Sequence, residues 1–192
     1  MLKQKIKIER ERLHKAYAEH WNTSGFFLKQ GRADIKGSYY MFLASLSYSA
    51  FALEAFLNHI GKGTFECWED MDRLSPKGKL NAICEKLSVQ QDYSSLPWQV
   101  VPELIGFRNK SVHAKSQSLK SSKIVTEQDG YENLMHEFLV SDWMEFVTES
   151  NASKVRLNLE KIMQSIHEVS TYREDSLFSP GIQSSSATLH NE

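Results

Sequence analysis

The segment from Asp34 to His59 constrains this chain most. Its apolar positions Tyr39, Phe42, Leu46, Ala50, Leu53, Leu57 and Ile60 advance by three or four residues, the repeat of an α-helix. Few charges interrupt it, and Ala44, Ser45, Ser47, Ser49, Ala50, Ala52 and Ala55 are all small. A helix of that make-up is buried on most sides, and its small positions let neighbouring helices come close. Gly61 and Gly63 read as its terminators. The rest of the chain has to supply the helices that cover it.

From Leu2 to about Lys29, the residues Ile6, Leu13, Tyr17, Trp21 and Phe27 fall between Lys, Arg and Glu at amphipathic-helix spacing, with Gly25 a candidate break and Gly31 a stop. Thr64 to Arg73 reads as a loop with a short turn holding Trp68. Ser75-Pro76 is an N-cap followed by proline at the first helical position, which predicts a helix to about Leu87 with Leu80, Ile83, Cys84 and Leu87 inward. After the turn-rich Ser88 to Pro97, another helix starts near Pro97 and carries Val101, Leu104, Ile105 and Phe107. Ser116 to Lys123 has no helical period and reads as an exposed loop. Asp129 or Gly130 opens a helix with Leu134, Phe138, Val140, Trp143 and Phe146. A last one starts near Asn151, places Val155, Leu157, Leu159, Ile162, Met163 and Ile166, and fades at about Tyr172.

No segment is read as sustained two-residue alternation, so the expected fold class is all-α, a bundle of five or six helices without a sheet. The expected organisation is one domain over 1–173, with an N-terminal helix at 1–32 and a core bundle at 34–172. The Ser-rich tail at 174–192, with Pro180-Gly181, is expected to be disordered.

A formal net charge of -1 and a pI near 6.7 exclude a globally basic nucleic-acid binder, so any such contact has to be local. The start has basic residues but no apolar run behind them, which argues against a signal peptide. No stretch is read as approaching the roughly 20 continuous apolar residues of a membrane helix. The expectation is a soluble, cytoplasmic protein without a membrane partner. Cys67 and Cys84 sit apart from any Cys-x-x-Cys or His-rich cluster and read as reduced thiols. Without a Gly-rich phosphate loop, zinc spacing or a Ser/His/Asp order, no metal and no cofactor is expected.

Chemistry is concentrated in Leu104-Ile105-Gly106-Phe107-Arg108-Asn109-Lys110-Ser111-Val112-His113-Ala114-Lys115. A guanidinium stays protonated and presents a planar fork of donors that fits a phosphate. An imidazole titrates near neutrality and can move a proton on or off a ribose hydroxyl or a leaving oxygen. Together they are a minimum kit for cutting RNA. Five residues of helix is about 500° of rotation, so Arg108 and His113 do not share a face, and a dimer or a helix break is needed to bring them together. Asn109 can hold Arg108 in place. From Leu104 to Thr126 no acidic residue occurs, whereas Lys110, Lys115, Lys120 and Lys123 form a local basic strip suited to RNA. Glu54 and Asn58 lie one turn apart on the apolar helix; a buried Glu54 needs a partner, and Arg108 is the expected one, the alternative being that both residues simply face solvent. His59 reads as a surface or helix-end residue, and Tyr39, Tyr40, Phe42, Trp143 and Phe146 as core or dimer interface. The plain alternatives stay open: basic residues at a helix end offset its dipole, and the strip is a solvated loop.

The lead-in Leu104 to Phe107, Arg108-Asn109, the four intervening residues and Val112-His113 resemble the Arg-x4-6-His signature of HEPN domains. The stretch Ala52-Leu53-Glu54-Ala55-Phe56-Leu57-Asn58 is similar to the family's other recognisable segment, and the resemblance covers about Ser38 to Tyr172. It implies a helical bundle forming a two-fold homodimer whose motifs face one cleft. It further implies a metal-independent endoribonuclease, with Arg108 and His113 catalytic and Asn109 supporting, in a toxin–antitoxin, defence or RNA-processing setting. An antitoxin or other partner protein belongs to some of those settings. Inactive members of the family serve as modules that bind RNA, a nucleotide or a protein, or only dimerise. Where one branch carries tyrosine two residues after the histidine, this chain has Lys115, which argues against regulation by modifying that position.

Overall fold

The computed structural model describes residues 5–71, 73–124 and 138–190. Among the described residues, six α-helices and a two-stranded sheet make up the regular structure: β1 (Lys5–Arg12), α1 (Ala16–Ala33), α2 (Ser38–Thr64), α3 (Pro76–Lys86), α4 (Val100–Val112), α5 (Asp142–Glu145), α6 (Glu149–His167) and β2 (Gln183–His190). A 3-10 turn, Trp68–Met71, falls in the expected loop. The helix expected from Asp129 or Gly130 through Leu134 lies outside the described residues. Of its C-terminal part only the short α5 is helical, while Phe138 and Val140 precede it without regular structure.

Helix α2 is the axis of the bundle. Its inward positions Leu46, Leu53, Phe56, Leu57 and Ile60 are fully buried, and Tyr17 of α1, Leu80 and Ile83 of α3, Leu104 of α4, and Leu159, Ile162 and Met163 of α6 close over them. By length and composition α2 is also long and apolar enough to cross a membrane, which the reading of continuous apolar runs missed. Packing by four helices asks for the same composition, since a helix covered on most sides is apolar nearly all round. Small residues allow the closest approach. Between α1 and α2 the Ser24 hydroxyl lies 2.8 Å from the Ser45 carbonyl, 3.2 Å from the Ser45 hydroxyl and 2.7 Å from the Ser49 hydroxyl, all buried.

Gly61 and Gly63 do not terminate α2. Both lie within it because Trp68 packs on Gly61 and Tyr172 on Gly63, where a β-carbon would collide. Gly25 likewise does not break α1, whose backbone there is approached by the Arg156 side chain. The ends of α3 and α6 follow their caps: Gly78 N–H donates to Ser75 Oγ at 3.1 Å and Asn151 N–H to Thr148 Oγ1 at 3.1 Å.

The chain termini depart from the all-α expectation. Lys5–Arg12 is an extended strand rather than the start of a helix, and it pairs antiparallel with Gln183–His190, in the tail expected to be disordered. The alternation Lys5-Ile6-Lys7-Ile8 is a strand pattern, and Ile6 and Ile8 stay 62% and 59% exposed. The ribbon leaves the bundle where Leu13 N–H donates to the Ile182 carbonyl at 3.0 Å and Lys15 N–H to the Pro180 carbonyl at 3.2 Å. Gly181, with φ of 117°, sits there against the Leu13 backbone, a conformation and an approach that no side chain permits.

Candidate functional site

Helices α2 and α4 place the candidate residues. On α4, Val100, Val101, Leu104 and Phe107 are buried, which fixes the rotation of the helix and turns Arg108 toward α2. There Arg108 Nη2 donates to Glu54 Oε2 at 3.3 Å and Nη1 donates to Asn109 Oδ1 at 3.1 Å. Glu54, the one acidic residue of α2, is therefore paired with the motif arginine, although it is only half-buried. Both side chains keep about a third of their surface exposed, 32% for Arg108 and 36% for Glu54. They rim a small apolar cup floored by Leu53, Leu104 and Ile105 and walled by Pro76. Guanidinium donors not used by Glu54 and Asn109 remain for an acceptor at that rim.

His113 is the C-cap of α4, exposed, with its backbone N–H on the Asn109 carbonyl at 3.1 Å. Positions 106, 110 and 113 recur by four and three, so Gly106, Lys110 and His113 share a face, and Arg108 lies on another. Asn58 is engaged elsewhere: its Oδ1 accepts from Lys79 Nζ at 2.9 Å, and that lysine is only 3% exposed, with its ammonium 5.7 Å from the centre of the Trp68 ring. It is therefore tied to α3 through Lys79, and the bonds of Arg108 go to Glu54 and Asn109 instead. Lys110 lies 3.9 Å from Asp142 across an exposed gap, and Lys115, Lys120 and Lys123 are on the exposed stretch after α4.

Sequence reasoning missed the far side of α4. Trp143 and Phe146 come from α5 and its end to form a groove there, the Phe146 ring lying tilted against Phe107 with centroids 5.4 Å apart. No alternation or cap announces that groove, because α5 is only four residues long and its partners are set by tertiary packing.

His59 also departs from expectation. It lies inside α2, its ring 4.1 Å from Tyr172 and 5.1 Å from Tyr17, with Nε2 buried and without a partner among the described residues. Burial pushes its pKa below the ordinary value, and the Lys15 ammonium adds to that shift. Among the described residues no group of three or more His, Cys, Asp or Glu is arranged to hold a metal ion, and both cysteines are free thiols.

Comparison with family models, curated proteins and solved structures returns no match for this chain.

Proposed function

We propose that this protein is a HEPN-type endoribonuclease that works as a two-fold dimer and needs no metal. The observation that carries the reading is Arg108, held between Glu54 and Asn109 at the mouth of an apolar cup, in a motif that ends on the exposed His113. Because the two side chains occupy different faces of α4, the reacting pair is Arg108 of one copy and His113 of the other. His113 takes the proton of the ribose 2′-hydroxyl, whose oxygen attacks phosphorus. Arg108 stabilises the charge that grows on the non-bridging oxygens, and the 5′-oxygen leaves, taking up a proton from solvent water. The products are a 2′,3′-cyclic phosphate and a 5′-hydroxyl end. Lys110, Lys115, Lys120 and Lys123 hold the phosphates on either side. A cytoplasmic toxin or defence effector, with or without an antitoxin, is the setting that the resemblance suggests.

A second reading has its own observation. The Glu54 carboxylate already neutralises Arg108, as in a module that uses the same cup to bind RNA, a nucleotide or a partner without cutting. Mixed RNA incubated with the pure protein in EDTA separates the two. The nuclease reading expects cleavage with cyclic-phosphate ends, and a loss of about 100-fold or more in His113→Ala that leaves the fold intact. Intact RNA after incubation with wild type assigns the chain to the binding class.

A further inference from the structure

On the side of α4 that carries Gly106, Lys110 and His113, two cavities of about 270 and 280 Å³ adjoin, sharing Lys110, Asp142 and Trp143 in their walls. Phe107 and Phe146 line the first, and Lys115, Gln117 and Ser141 the second. Three features of this groove have no explanation among the described residues.

The first is Gly106. The helical glycines Gly25, Gly31, Gly61 and Gly63 each stand against a side chain that an added β-carbon would press on, namely Arg156, Phe42, Trp68 and Tyr172, and at Gly78 it would meet Ser75 Oγ at 3.4 Å. Gly106 is in the middle of α4, and a β-carbon there meets nothing within 4 Å among the described residues. A mid-helix glycine weakens a helix relative to alanine, so bare backbone at this point serves something that lies flat against it from outside.

The second is Ser141. It is 7% exposed in the wall of the groove, and its hydroxyl is buried there without a hydrogen-bond partner among the described residues. Such a group is costly to leave unpaired. The third is Trp143, the one tryptophan left partly open. Trp21, Trp68 and Trp98 are 4%, 7% and 8% exposed.

We propose that this groove is a nucleotide subsite for single-stranded RNA, with a base lying between the Trp143 ring and the bare face of α4 at Gly106 and its phosphate on Lys110 and Lys115. The occupant follows from charge and shape. Glu103 in the wall is paired with Lys154 at 2.8 Å, while Lys110 and Asp142 are 3.9 Å apart and both exposed, so Lys110 and Lys115 both face the groove as cations for a phosphate. An aromatic face beside a cation is the sequence-tolerant way of holding a base and its backbone. The groove shares its face with His113, so a strand seated in it passes the proposed proton-transfer group. The subsite rests on the nuclease reading for the identity of its polymer, but its test does not depend on cleavage.

A 2′-O-methyl RNA hexamer, which cannot form the cyclic phosphate, is titrated into the full chain and followed by tryptophan fluorescence and sedimentation. Wild type is expected to bind with quenching of Trp143. Trp143→Ala is expected to bind roughly tenfold to hundredfold more weakly. Gly106→Leu is expected to melt higher and bind more weakly, a combination that misfolding cannot produce. No binding by wild type, or equal affinity in both variants, overturns the subsite. If wild type cleaves RNA and Trp143→Ala binds the hexamer and cleaves equally well, the subsite falls and the nuclease reading stands. If the hexamer binds through Trp143 but no RNA is cut, the nuclease reading falls and the subsite stands. A dimer that Trp143→Ala dissolves, with hexamer affinity unchanged, overturns the proposal and gives this face to a second copy.

Discussion

Glu54 and Arg108 are worth little to stability and a great deal to geometry. At about a third exposed, an ion pair of this kind contributes on the order of 0–1 kcal/mol, since water screens it and two long side chains lose freedom to form it. What Glu54 does is fix where the guanidinium points. Glu54→Ala is therefore expected to move the melting temperature by only a few degrees and to lower RNA cleavage about tenfold to 100-fold. Thermal melts beside initial cleavage rates check this, and a large stability loss with proportionate activity loss contradicts it. The sequence offered that pairing beside the alternative of a solvated Glu54, because a carboxylate on a mostly apolar helix either meets a cation or turns to water. Asn58 was legible only as polar. Its partner Lys79 belongs to an amphipathic helix where lysine ordinarily faces water, yet here it is buried. His59 was misread for a similar reason: Tyr172, which covers it, comes from more than a hundred residues further along the chain.

Among the helices, α1 and α2 form the closest pair, and three serines make that closeness possible. The Ser24 hydroxyl links to both Ser45 and Ser49 in a place with no access to water. Ser24→Ala removes the shared partner and leaves buried hydroxyls unmatched, at a cost of about 1–3 kcal/mol. Urea unfolding is expected to show that loss as a lower midpoint with an unchanged slope, and an unshifted midpoint refutes the role. Elements defined by local signals were legible: α3 from Ser75-Pro76, α6 from its periodic apolar face, α2 from its long helical repeat. Those whose ends depend on distant contacts were not. Gly61 and Gly63 look like stops until Trp68 and Tyr172 are packed on them, and Lys5-Ile6-Lys7-Ile8 reads as helix until a partner strand appears at the other end of the chain. The groove beside α4 stayed hidden for the same reason.

The whole molecule is fastened by a cluster that joins its two ends. Lys15, 5% exposed just before α1, donates to Asp175 at 2.9 Å in the segment after α6, and Tyr17, His59, His167 and Tyr172 surround that bond, with Glu168 beside His167. Burial pushes both imidazoles below their ordinary value of 6.5, and the Lys15 ammonium pushes the same way against the weaker pull of Asp175. Asp175 is itself held below 3.8, chiefly by its hydrogen bond from Lys15. Since the folded histidines resist protonation, the unfolded chain takes up protons first as pH falls. Their contribution is complete above about pH 6.5 and is lost progressively as pH drops below it, at about 1.4 kcal/mol per pH unit for each proton. The Asp175 contribution survives to lower pH and is lost only below about 3.8. Trp21 reports on this fastening, because Phe178, three residues past Asp175, stacks on its ring at 5.0 Å. Stability followed by Trp21 emission between pH 8 and 5 is therefore expected to fall with acid in wild type and to flatten in a His59→Leu, His167→Leu double variant. An equal slope in the two proteins would show that some other groups take up the protons and that this cluster does not set the acid limit of the fold.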